Sequence, residues 1–194
     1  MIALKTRAIE LESKAKQAKR MRNYEDAAKF HFEAAKIYKQ IGDEKNYKWN
    51  LANYYLMKGG NYYFSNQLHE AREEYIKAEK LFLELGLRKP AFKAAFWFVL
   101  TFIREEKLRR KYFIPEYFKY AELLLKKYKE FSNYREYVEV KIDLYKRRSI
   151  KYRLEGNYEL AELWAKRCFE VAKEAYSIFK YNDFVRAAVF NEHM

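Results

Sequence analysis

Between Asn23 and Ile41 the small or apolar positions Ala27, Ala28, Phe30, Ala34, Ile37, Tyr38 and Ile41 recur at intervals of three and four, with charged residues between them. One face of an α-helix has that period, so the stretch predicts a helix. Asn23 is placed to cap it by accepting from amides of the first turn, and Glu25 and Asp26 stand where the helix dipole favours negative charge. Gly42 closes it by tolerating a left-handed conformation. The same pattern returns at "SNQLHEAREEYIKAEKLFLELG", which Ser65 or Asn66 opens and Gly86 closes, and at "EGNYELAELWAKRCFEVAKEAY", which opens on Gly156 and Asn157. Each of these stretches follows another helical one, at 3–21, 44–64 and 134–154, so the building block is a helical hairpin.

Aligning the hairpins exposes a register. Gly59, Tyr62, Ala71, Tyr75 and Ala78 are separated by 3, 9, 4 and 3. The same intervals select Ala15, Ala18, Ala27, His31 and Ala34 in the first hairpin, and Ser149, Tyr152, Ala161, Ala165 and Cys168 in the last. Small residues hold the first, third and fifth places in all three, because helix axes that cross at the usual ~8–10 Å leave no room there for a larger side chain. The repeat-packing positions are therefore Ala15, Ala27, Ala34, Gly59, Ala71, Ala78, Ser149, Ala161 and Cys168.

This alternation of small and aromatic places resembles the tetratricopeptide repeat. "GNYELAELWAKRCFEVA" and "NYEDAAKFHFEAAKIY" look like its second helix, and "GDEKNYKWNLANYYLMKGG" looks like its connection and first helix in a longer-period variety. The resemblance implies an all-α, TPR-like array of about four antiparallel helical hairpins in a single domain of 1–194. Its repeats span 1–43, 44–88, 89–132 and 133–181, and the tail 182–194 forms a short C-terminal capping helix or begins a further hairpin. The register steps by 44 residues from Ala27 to Ala71 and by 90, twice 45, from Ala71 to Ala161. Longer helices than the family's usual repeat are expected. In the third repeat the register puts Arg104 and Glu116 where small residues belong, although Pro115 suits the first turn of its second helix.

Composition supports this reading. Five glycines and two prolines in 194 residues are too few for the turns of an all-β protein. The longest apolar stretch, 91–103, includes Lys93 and is too short to span ~30 Å of hydrocarbon. One cysteine allows no internal disulfide, and the start of the chain lacks a signal-peptide pattern, which makes an intracellular, cytoplasmic protein the expectation. Forty Lys and Arg against 27 Asp and Glu give a formal charge of +13, which favours acidic proteins or nucleic acid as partners. A chain rich in Lys, Glu and Tyr also matches the surface chemistry of thermophiles.

Catalytic chemistry is sparsely represented. His31, His69 and His193 have no second ligand at helical spacing, so no metal site or other cofactor is expected. His31 occupies an aromatic place and Cys168 a small place of the register, where packing explains both. "KGGNYY" lacks the downstream lysine and hydroxyl of a phosphate loop. Arg186 and His193 loosely resemble the arginine-to-histidine motif of the HEPN ribonucleases, with Ala187 where that family has a polar residue. A ribonuclease is thus a minor alternative to a non-enzymatic protein.

In tetratricopeptide-like arrays the first helix of each hairpin lines a concave surface. The resemblance places Lys16, Lys19, Asn53, Lys146 and Arg153 there, where they would hold a carboxylate by charge-assisted hydrogen bonds. The expected function is a scaffold that binds a peptide or helix of an acidic partner protein. A basic, RNA-binding helical repeat is the alternative, and self-association into a homo-oligomer is compatible with either.

Overall fold

The computed structural model of the chain describes residues 2–109 and 113–179. They form eight α-helices: α1 (Ile2–Arg20), α2 (Tyr24–Gln40), α3 (Glu44–Phe64), α4 (Leu68–Glu84), α5 (Arg88–Arg109), α6 (Pro115–Lys127), α7 (Arg135–Leu154) and α8 (Tyr158–Phe179). A single 3₁₀ turn, Lys129–Phe131, follows α6, and no strand occurs among the described residues. The protein is all-α. The tail 182–194, with the capping helix expected there, lies outside the described residues.

Five of the turns repeat one hydrogen-bond pattern. After α2, the Gly42 amide donates to Lys39 O and the Asp43 amide to Tyr38 O, at 3.2 and 2.9 Å. This pair of bonds satisfies carbonyls that the helix end leaves open and requires a left-handed residue between them. Gly42, Gly86 and Gly156 take that conformation with φ of 76°, 72° and 76°, and Arg22 and Asn66 do so with φ of 59° and 62°. The next helix starts at once. Asn23 Oδ1 accepts from the Asp26 amide and Asp43 Oδ1 from the Asn46 amide, both at 3.1 Å, and Asn157 Oδ1 accepts from the Leu160 amide at 3.2 Å. The expected opening of α4 at Ser65 or Asn66 needs correction. Ser65 ends α3, Asn66 is the left-handed residue, and Gln67 precedes the helix without a side-chain cap. A turn this short needs its left-handed residue before it needs a cap, and Asn is among the few non-glycine residues that accept the role.

The chain divides into two compact units, the first running to Glu105 and the second starting at Glu106. In the first, Ala8 and Leu11 of α1 pack on Ala34 and Tyr38 of α2, and Ala18, Ala27 and Ala28 close around Met57 of α3. In the second, Val138 and Ile142 of α7 meet Cys168, Ala172 and Ala175 of α8. All nine repeat-packing residues are buried. Three of them make direct contacts between the helices of a hairpin: Ser149 Oγ donates to Ala161 O at 2.8 Å, binding α7 to α8, and Gly59 lies directly against the Tyr75 ring.

The broken register of the third repeat has a local explanation. The buried face of α6 is Tyr117, Ala121 and Leu124, followed by Tyr128. Its spacing of four, three and four matches Ala71, Tyr75, Ala78 and Phe82, but it begins one residue late and the sizes are exchanged, with Tyr for Ala and Ala for Tyr. Glu116 is exposed, and Arg104 projects over the Tyr63 ring while donating to Asn66 Oδ1 at 2.8 Å.

Candidate functional site

Of the five residues expected on a binding face, Lys16, Lys19 and Asn53 belong to the first compact unit, and Lys146 and Arg153 to the second. Helical spacing puts Glu12, Lys16 and Lys19 on one face of α1. Asn53, Gly60 and Phe64, at i, i+7 and i+11, share a stripe of α3. Asn53 donates to Trp49 O at 2.9 Å, which fixes its amide. Lys16 and Lys19 are exposed and have no ion-pair partner among the described residues.

Lys93 is the residue that the register did not select. It is exposed on α5, and its charge reaches Lys19 of α1: partial desolvation and the Lys93 ammonium hold Lys19 below the ordinary lysine value. Two like charges from helices two repeats apart are thus near enough to interact. One turn further along α5, Trp97 meets Tyr63 and Phe64 of α3 edge-on, at centroid distances of 5.5 and 6.4 Å, and Phe64 stacks on Tyr24 at 5.1 Å. Phe64 stays 48% exposed, so the basic face continues into an aromatic one. Lys93 sits within the apolar run 91–103, and a lone exposed lysine in such a run is the signal that could have singled it out.

Beneath the lysines runs a buried polar chain that joins three helices. His31 Nδ1 lies 2.9 Å from Asn50 Oδ1, and Asn50 Nδ2 donates to Glu12 Oε1 at 2.6 Å and to Asn46 O at 3.0 Å. Because both amide hydrogens of Asn50 are committed, its oxygen must accept, which assigns a proton to His31 Nδ1. Burial lowers the His31 pKa from its usual 6.5, against smaller opposing effects of Asn50 and Glu12, and Lys19 and Lys16 push the same way as burial. The folded chain therefore binds fewer protons at His31 than the unfolded chain does. The stability this contributes is complete above pH ~7 and is lost as pH falls through the ordinary histidine value towards the lower folded one. Thermal melts between pH ~7.5 and ~5 should show a falling midpoint, with a flatter profile in His31→Gln.

The second unit holds Lys146 and Arg153 seven residues apart on α7, both half-buried. Lys146 lies near Cys168, whose thiol burial pushes up to about 11. This thiol is protonated at neutral pH and donates weakly to Ile142 O at 3.6 Å, so it is no nucleophile. The same unit contains a buried ionic cluster. Glu106 accepts from the Ile114 amide at 2.8 Å and from Arg147, which also donates from Nε to Asp143 at 2.6 Å and lies over the Tyr117 ring. The buried Tyr117 hydroxyl faces this cluster without a hydrogen bond of normal geometry. Burial first, then Asp143, holds its pKa well above the usual tyrosine value.

Among the described residues no group of His, Cys, Asp and Glu could hold a metal ion, and no helix is long and apolar enough to cross a membrane. His69 pairs on the surface with Glu73, and Arg186 and His193 lie outside the described residues. The face of the first unit, with three ammonium groups unpaired among the described residues, one fixed amide and the adjoining exposed Phe64 ring, is equipped to hold an anion beside an apolar group. No protein-family model and no curated protein matches this sequence, so the chemistry of that face carries the functional reading.

Proposed function

We propose that the chain is a tetratricopeptide-like scaffold that binds an acidic peptide or helix of a partner protein on the α1, α3 and α5 face of its first compact unit. The closeness of the exposed Lys19 and Lys93, near enough for one charge to act on the other, carries the reading. Two ammonium groups close enough to interact gain from an anion placed beside them, through charge-assisted hydrogen bonds. Asn53 accepts a backbone N–H of the peptide, and Phe64 and Trp97 cover an apolar anchor next to the acidic residues. Lys146 and Arg153 form a separate basic stripe on α7.

The test uses a fluorescently labelled oligoglutamate peptide ending in a tryptophan, followed by anisotropy. Reversing both charges, Lys19→Glu with Lys93→Glu, should weaken binding by about 10-fold or more at low salt, in line with charge-pair effects at interfaces. Unchanged affinity in that variant would remove this face from the proposal.

A further inference from the structure

A second surface in each compact unit repeats a chemistry that packing does not require. Tyr55, Lys58, Tyr62 and Lys77 in the α3/α4 hairpin correspond, at a constant step of 90, to Tyr145, Arg148, Tyr152 and Arg167 in the α7/α8 hairpin. The order ring, cation, ring, cation is kept at all four positions. In the first repeat the same places hold Leu11, Lys14, Ala18 and Glu33, and in the third Leu100, Ile103, Lys107 and Glu122. Hairpins of this register therefore form without the set.

The structure arranges these residues as rings with cations laid against them. Lys58 Nζ lies 5.8 Å from the Tyr54 centroid and 5.5 Å from that of Tyr62, and Lys77 Nζ lies 5.5 Å from that of Tyr55. Both lysines also reach Glu74 Oε1 at 3.2 Å, which leaves one positive charge in excess. Phe32, in contact with Tyr54 at 4.9 Å, carries Lys36 at 4.5 Å and extends the row onto α2. In the second unit Trp164 takes the place of Glu74, so the second cluster has lost that acid. The guanidinium carbons of Arg148 and Arg167 lie 4.3 and 4.7 Å from the Trp164 centroid, and Tyr145 meets the same ring at 5.1 Å. Arg148 pairs with Glu122, whereas Arg167 is exposed without an ion pair among the described residues.

We infer that the α3/α4 and α7/α8 hairpins each carry a subsite for single-stranded nucleic acid. A guanidinium or ammonium group resting on a ring is already ordered and keeps donors for phosphate oxygens. The half-buried tyrosines beside it offer faces and edges to bases. Tyr54, Lys58 and Tyr62 follow one another at steps of four residues, about 6 Å at the helical rise. That step suits a stretched strand, in which anion and flat base alternate, better than an acidic peptide, which supplies carboxylates without flat groups. The inference is independent of the acidic-peptide reading, because Lys58 lies about 140° around α3 from Asn53 at 100° per residue.

The experiment measures anisotropy of a labelled oligouridylate of about 20 nucleotides with the whole chain, between about 50 and 200 mM salt. Binding should weaken steeply with salt. Lys58→Gln with Lys77→Gln, and separately Arg148→Gln with Arg167→Gln, should each lower affinity about 10-fold and reduce the logarithmic salt slope by about 0.7, the value for the one lost single-strand phosphate contact that the excess charge of each cluster supplies. Lys19→Glu with Lys93→Glu should bind the strand at least within about 3-fold of the parent, allowing for net charge alone. The surface-exposed Arg167→Gln change, expected to fold normally, reads the second subsite by itself. Absence of binding at the lowest salt, unchanged affinity in both glutamine pairs, or equal competition by oligoglutamate of the same charge would overturn the proposal. The last outcome would make these surfaces docking sites for acidic protein.

Discussion

Replacing Arg147 with methionine should destabilise the second compact unit by about 3 kcal/mol, the lower end of the range for breaking a buried ion pair. Glu106 is only 6% exposed, and without the guanidinium it would keep, among the described residues, the hydrogen bond from the Ile114 amide but no cation in contact. Arg147 also steadies Asp143 and covers the Tyr117 ring, so several contacts fail together. The accompanying change Glu106→Gln should recover a large part of the loss, because a neutral amide tolerates burial that a lone carboxylate does not. Urea unfolding of the two single variants and the double variant measures this coupling directly. Additive effects of the two changes would show that Arg147 acts through packing and not through charge.

Gly59→Val should cost about 2–3 kcal/mol, through overpacking at a helix crossing. A Cβ at this position would stand 2.7 and 2.8 Å from two carbons of the Tyr75 ring, closer than van der Waals contact permits. Tyr75 is 1% exposed and cannot swing aside. Valine and glycine differ by only a few tenths of a kcal/mol in helix propensity, so the effect reports the collision. Tyr75→Leu in the same background should restore part of the stability by opening space beside the new side chain. Thermal unfolding of the two variants checks both statements, and a melting point for Gly59→Val equal to that of the parent would contradict the close approach.

The sequence was legible where one physical rule acted alone. Ala27, Ala34, Ala71, Ala78, Ala161 and Cys168 could be found because crossing helices exclude large side chains at fixed intervals, and the hairpin boundaries because left-handed glycines and caps punctuate the chain. α6 was harder to read, since exchanging the sizes of Tyr117 and Ala121 packs the same volume in another order, which a search for small residues cannot detect. Asn66 looked like a cap because Asn serves both as a cap and as a left-handed residue; the length of the turn decides between them.

The candidate site was only partly legible. Lys16, Lys19 and Asn53 followed from helix position, but Lys93 depends on how far α5 is offset against α1, a quantity that no local pattern encodes. The chain His31, Asn50 and Glu12 escaped notice for the same reason: its members come from three helices and lie 19 and 38 residues apart. Asn50 is wholly buried, and a polar residue at a buried place of α3 becomes intelligible only when both of its partners are known.

Cys168 has a practical consequence. It is the one thiol in the chain, it is fully buried between α7 and α8, and its raised pKa keeps it unreactive in the closed hairpin. Thiol-reactive dyes can therefore label the protein only during moments when that hairpin parts. The labelling rate is a natural clock for the opening of the final hairpin, readable without introducing any probe or removing any competing cysteine.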